Sequence, residues 1–320
     1  MVRPVCMILA PVCVLKENHY LCLVIPKENF MMRLRVWFIF SVLLLLCGSC
    51  GNRKRQEEQK PLLTVSIEPL RYFAEAVGGD RFRVVSMVPE GSSPETYDPT
   101  PQQLMALNQS LAFLRIGYIG YERVWADKLQ QNSPQLKFFD MSEGIELIRE
   151  HDEAHHGHAH ADGVEPHVWN SVANAYVIAD NVYRSLCDIA PSEREYFKTR
   201  LDSLKQVIHR TDEAVKAYLA DGQETFLIYH PALSYFAREY GLHQISIEKG
   251  GKEPLPAYLQ ELIGLCTRER VKTIFIQKEF DTRNAELIAR ELGVEVVPIH
   301  PLSYDWMGEM LHTAQALSKK

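Results

Sequence analysis

"SEREYFKTRLDSLKQVIHRTDEAVKAYLA", residues Ser192 to Ala220, holds no glycine or proline; Pro191 precedes it and Asp221-Gly222 follow. Tyr196, Leu201, Leu204, Ile208, Val215 and Leu219 recur at helical spacing, which predicts one amphipathic helix with a single apolar stripe. Ser192 and Glu195 match a capping box at its start. About 28 residues at 1.5 Å each make a rod of roughly 40 Å. Such a rod is expected to join two lobes as a stiff strut and to limit how far they hinge.

On either side of the rod the pattern changes. From Leu62 short β-branched runs ("LLTVSI", "FRVVSMVP", "LAFLRIG", "LKFFDMS") alternate with amphipathic segments, and from Thr225 the alternation resumes with "TFLIYH", "HQISIE", "VKTIFIQ" and "VEVVPIH". Strand and helix in turn predict parallel sheets. The expected fold is α/β: two similar lobes with largely parallel sheets, joined by one long rigid helix, with a ligand crevice between them. The lobes are expected over 62–191 and 221–320 with the helix over 192–220. Although the order of elements is similar in both, no residue-level repeat is visible. A chain of 320 residues with 46% hydrophobic content can bury two medium cores.

The first 61 residues fall outside this pattern. Arg33 and Arg35 precede the apolar run Val36 to Cys47, and "GSC" follows it. About 12 apolar residues are too few for a bilayer that needs roughly 20, so 31–50 reads as a signal peptide. The small residues before Cys50 resemble a lipobox, with acylated Cys50 the first mature residue and 51–61 a polar tether. Residues 1–30 read as an over-long start. Residues 1–50 carry five of the 35 Lys/Arg and two of the 41 Asp/Glu, leaving 30 basic and 39 acidic residues, a net charge of −9. That balance argues against nucleic acid. Beyond Cys50 only Cys187 and Cys266 remain, which is no disulfide framework.

Chemistry is concentrated at strand ends. His230 closes "FLIYH", His300 closes "VVPIH", and Glu95 sits in the loop that leaves "VVSMVP". His167 lies just before a helix that starts near Trp169. In open α/β sheets ligands sit outside the carboxyl ends of strands, so these four side chains can meet in one crevice. Imidazoles with a carboxylate suit zinc, although a single His after a strand is more often a hydrogen-bonded rim residue. The loop 149–163 is different: His151, His155, His156, His158 and His160 stand among Glu150, Asp152, Glu153 and Asp162. It is expected to be an accessory, weak metal-collecting loop, because a flexible segment loses entropy on closing around an ion. No nucleophile elbow, P-loop, H-E-x-x-H or dinucleotide fingerprint occurs.

The stretches "VVSMVPEGSSPETYDPTPQQL", "EPHVWNSVANAYVIADNVYRSL", "FLIYHPALSYFAREYGL", "EKGGKEP" and "VKTIFIQKEFDTRNAELIARELGVEVVPIHPL" span both lobes in order. Through them the chain from about Leu62 to Leu317 resembles the solute-binding proteins of zinc and manganese ABC importers, in particular the zinc-uptake branch with its His-rich loop. The resemblance implies metal ligands at His167 and His230, and a first ligand at Glu95 where many members carry His. It places the fourth ligand on or near His300, with Asp305 as competitor. It further implies a zinc-capturing, membrane-anchored lipoprotein that faces the periplasm, acts as a monomer and hands Zn2+ to an ABC importer permease and its ATPase. Manganese is the alternative cargo, and a zinc-dependent hydrolase the alternative from another class, which would need an open coordination position and a separate base.

Overall fold

The computed structural model describes residues 60–149, 163–248, 255–280 and 283–318. The expected signal peptide, lipidated Cys50, most of the tether and the five histidines of the His-rich loop lie outside the described residues. Of that loop's surroundings, the stem is described: Arg149 and Val164 form an antiparallel bridge.

Among the described residues eight strands make two sheets of four. In the first lobe, β1 (Leu62–Val65), β2 (Arg83–Ser86), β3 (Ala112–Arg115) and β4 (Lys137–Asp140) lie in the order β2-β1-β3-β4. In the second, β5 (Thr225–Ile228), β6 (His243–Ser246), β7 (Thr273–Gln277) and β8 (Glu295–Ile299) lie in the order β6-β5-β7-β8. All six pairings are parallel, with Thr64 opposite Phe113 and Leu227 opposite Ile274 at the two central pairs. The lobes therefore share one topology without sharing sequence. In each, the strand order reverses at the central pair, β1/β3 or β5/β7, which is where a crevice opens at the carboxyl ends.

The helices among the described residues are α1 (Glu68–Gly78), α2 (Pro101–Asn108), α3 (Gly120–Asn132), α4 (Val172–Ile189), α5 (Arg194–Leu219), α6 (Ser234–Tyr240), α7 (Pro256–Arg268), α8 (Arg283–Leu292) and α9 (Trp306–Leu317). The rod foreseen from the sequence is α5, 26 residues long. It buries Phe197, Leu201, Leu204, Ile208, Thr211 and Val215, a stripe with alternating steps of four and three, and packs on α1 and α4 of the first lobe and α9 of the second. Its start departs from expectation. Residues Pro191–Glu193 form a short 3-10 turn and no side chain caps the helix, so the Ser192/Glu195 capping box is not made. Glu193 instead accepts from Arg81 at 2.6 Å, tying the start of the rod to the α1–β2 connection.

The core also differs from two separate ones. One apolar cluster runs from the first sheet through α4, α5 and α9 to one face of the second sheet, where Phe226, Ile228 and Phe275 point. Leu227, Tyr229 and Ile274 point the other way, into a smaller cluster under α7 and α8. Strand alternation on β5 thus feeds two cores, and the larger fuses the lobes. None of the described helices is long and apolar enough to cross a membrane, and both described cysteines, Cys187 and Cys266, are buried free thiols.

Candidate metal centre

His230 stands two residues past the end of β5, beside the end of β7. Gln277, the last residue of β7, clamps it from both sides: the His230 amide donates to Gln277 Oε1 at 3.3 Å, and Gln277 Nε2 donates to the His230 carbonyl at 2.7 Å. The ring lies flat on Phe280, centroids 4.9 Å apart at 15°. Its Nδ1 meets Glu248 Oε2 at 2.8 Å. His167 is presented by a tight turn ahead of α4, in which the Asn170 amide returns to the His167 carbonyl. Its Nδ1 meets Glu165 Oε1, which also accepts the His167 amide at 3.0 Å.

Both Nδ1 atoms therefore face carboxylates, which accept only. Each ring then carries its proton on Nδ1 and directs a lone pair from Nε2. The two Nε2 atoms face one another at 3.3 Å, one from each lobe. Two lone pairs at that distance repel unless a cation lies between them. Two nitrogens each about 2.05 Å from a tetrahedral zinc would stand about 3.3 Å apart.

Glu95 completes this side of the cleft. Its Oε2 accepts from the Gly120 amide at 3.3 Å, at the first turn of α3, and a Cβ on Gly120 would lie 2.3 Å from the Glu95 carbonyl, so only glycine fits there. Its Oε1 is buried without a hydrogen-bond partner, 4.0 Å from His167 Nε2. Glu95, His167, His230, Gln277 and Glu279 line one small cavity of about 30 Å3, closed by Trp169, Phe280 and Leu302.

The remaining candidates sit differently. His300 lies just outside the lining, with Nδ1 3.5 Å from Glu279 and Nε2 3.5 Å from Glu90, and its pKa is raised chiefly by the Glu279 carboxylate. Asp305 caps α9, accepting from the Gly308 amide at 3.0 Å, and is absent from the lining: a side chain spent on a helix N-terminus does not reach the cleft. Among the described residues no three His, Cys, Asp or Glu side chains are already drawn onto one point. A larger groove, about 510 Å3, lies at the amino ends of β5 and β7 beside Gln223, Arg268 and Lys272. It holds none of the histidines and lies at the wrong strand ends for this architecture.

Four residues of the site escaped the sequence reading. Glu279, two residues past the end of β7, obeys the same strand-end rule that singled out His230. Glu165 is visible in "EPH" two residues ahead of His167. Glu248 and Gln277 act through partners 18 and 47 residues away, and no local pattern carries them.

The sequence profile of the family described as "Zinc-uptake complex component A periplasmic" matches residues 63–320. The chain is 25% identical over 303 residues to the high-affinity zinc uptake system protein ZnuA of Bacillus subtilis, covering 88% of this chain and 89% of that one. It is 23% identical over 274 residues to the iron ABC transporter substrate-binding lipoprotein MtsA of Streptococcus pyogenes, covering 81% and 85%. The crystal structure of a zinc-bound ZnuA lacking its residues 138–173 superposes with a TM-score of 0.75 at 32% identity, covering 82% of this chain and all of the other.

Proposed function

Because this chain belongs to the periplasmic zinc-uptake component A family, a family of metal-binding solute-binding proteins rather than enzymes, we propose that its cargo is zinc, held in the cleft by Glu95, His167 and His230 and closed on the fourth side by Glu279, with His300 bearing on that carboxylate. Membership sets the hydrolase alternative aside. The observation that carries the proposal is the pair of Nε2 atoms facing one another at 3.3 Å with both Nδ1 atoms engaged. The family and the lipoprotein relative support a chain anchored through Cys50 outside the cytoplasm, which as a monomer delivers its ion to an ABC importer permease and ATPase. The histidines at 151, 155, 156, 158 and 160 then serve as a weak collecting loop.

Manganese is the second reading. A paired Glu95 and Glu279 would move the donor set toward oxygen, which manganese favours. Two imidazoles among the donors favour zinc.

A competitive chelator titration decides, with zinc and manganese in parallel, on the chain and on a variant lacking residues 150–162. One tight zinc equivalent is expected in both, weakened by His230→Ala well beyond the roughly 10–100-fold of a change outside the ligand shell. Tight manganese with weak zinc would reassign the cargo. Loss of all tight binding with the loop would move the function out of the cleft.

A further inference from the structure

Behind the two imidazoles stand two buried carboxylates that nothing in the ligand set requires. Glu165 and Glu248 are 5% and 8% exposed, and a carboxylate so buried is costly unless it is bonded. Glu248 receives His230 Nδ1 at 2.8 Å, while its own amide donates to the Tyr229 carbonyl at 3.0 Å, which fixes the chain on which it stands. Glu165 receives the His167 ring and amide on Oε1, and Oε2 accepts from Ser234 Oγ at 3.3 Å. Ser234 belongs to the other lobe, where Gln244 Nε2 donates to it at 3.0 Å. Tyr235, its neighbour, donates to the Glu165 carbonyl at 2.8 Å. The ring offered by the first lobe is thus aimed by a carboxylate that the second lobe holds.

We infer that Glu165 and Glu248 are the positioning and selectivity-determining residues of this cleft: they lock both rings with the proton on Nδ1, so that two Nε2 lone pairs meet the ion, and they thereby favour zinc over manganese. The inference rests on the cleft reading above. An imidazole without such a partner can turn an N–H toward the ion, which leaves no lone pair to bind with. The carboxylate also raises the donor strength of the ring it holds. Zinc gains from stronger nitrogen donors, whereas manganese draws its binding from oxygen.

The test uses the full chain with zinc or manganese alone, competed against a chelator so that only the tightest equivalent is read. Glutamine at either position can still accept from the ring through Oε1, and at 165 its amide can donate to Ser234, so Glu165→Gln and Glu248→Gln remove charge while keeping shape. Each is expected to weaken zinc about 10–100-fold and manganese distinctly less. Imidazole 15N NMR of the metal-free chain is expected to show the Nδ1–H form at both rings in the parent and the glutamine variants, and an Nε2–H population at the affected ring in Glu165→Leu or Glu248→Leu. Zinc affinity within about twofold of the parent in both glutamine variants, or equal losses for the two metals, would overturn the inference while leaving the cleft intact. Tight zinc retained in His167→Ala and His230→Ala would instead bring down the cleft reading, and this inference with it.

Discussion

Glu122 is the residue whose burial has the most measurable consequence outside the cleft. Its carboxylate, 1% exposed, accepts the amides of Ile116, Gly117 and Ile119 and so shapes the loop after β3 that leads to Gly120, whose own amide meets Glu95. Loss of water outweighs those amides and pushes its pKa up to about 7 from the usual 4.5. A carboxyl whose folded pKa is raised holds its proton more tightly in the fold than in the unfolded chain. Stability from this group therefore falls as pH rises from about 4.5 to about 7, then levels off, a span on the order of 3 kcal/mol at 1.36 kcal/mol per unit. Urea unfolding between pH 5 and 8 is expected to show that slope. Glu122→Gln is expected to flatten it and to lower stability at acid pH, since the new amide faces the Gly117 and Ile119 N–H groups. A slope unchanged in the variant would refute the assignment.

At the scale of elements, α5 carries the argument. Ile208 lies fully buried on its stripe, and Ile208→Ala is expected to cost about 2–4 kcal/mol in urea unfolding. Glu213→Gln, on the opposite face in an exposed pair with His209, is expected to leave stability unchanged. If both variants behave alike, the stripe is not the bearing surface. This helix was legible because its stripe is long and periodic, and the strands because each run is short, β-branched and bounded by turn residues. The start of α5 was not, because Glu193 is claimed by Arg81, 112 residues away. The same division runs through the site. Glu95, His167 and His230 follow from strand ends and motifs, whereas Glu248 and Gln277 depend on which strands lie side by side. The resemblance likewise kept Asp305 as a competitor to His300, with no means of seeing that α9 starts on it.

For the molecule as a whole, the two lobes are stitched as well as packed. Trp306 Nε1 donates to the Trp169 carbonyl and Trp169 Nε1 to the Pro301 carbonyl, each at 2.8 Å, and both indoles are buried. Asn170 Nδ2 donates to the Ala232 carbonyl at 2.9 Å, and Tyr304 to Glu75 at 2.6 Å beneath Arg71. With a core shared by both lobes, the described chain is expected to unfold in a single transition. Trp306→Phe removes one donor and leaves the Trp169 carbonyl buried without it, so a loss of about 2–4 kcal/mol is expected. Zinc affinity is expected to fall as well, because Trp169 lines the cavity and packs on His167 with ring centroids 5.2 Å apart. Two separate transitions in the parent chain would show that the lobes are only neighbours. The small cavity has a consequence of another kind. It leaves room for few waters beside an ion, so an ion held there is expected to have exchanged most of its hydration shell for side-chain donors. Magnesium gives up its waters reluctantly. Magnesium is therefore expected to compete poorly for this cleft, since it would have to trade tightly held waters for nitrogen donors that suit it badly.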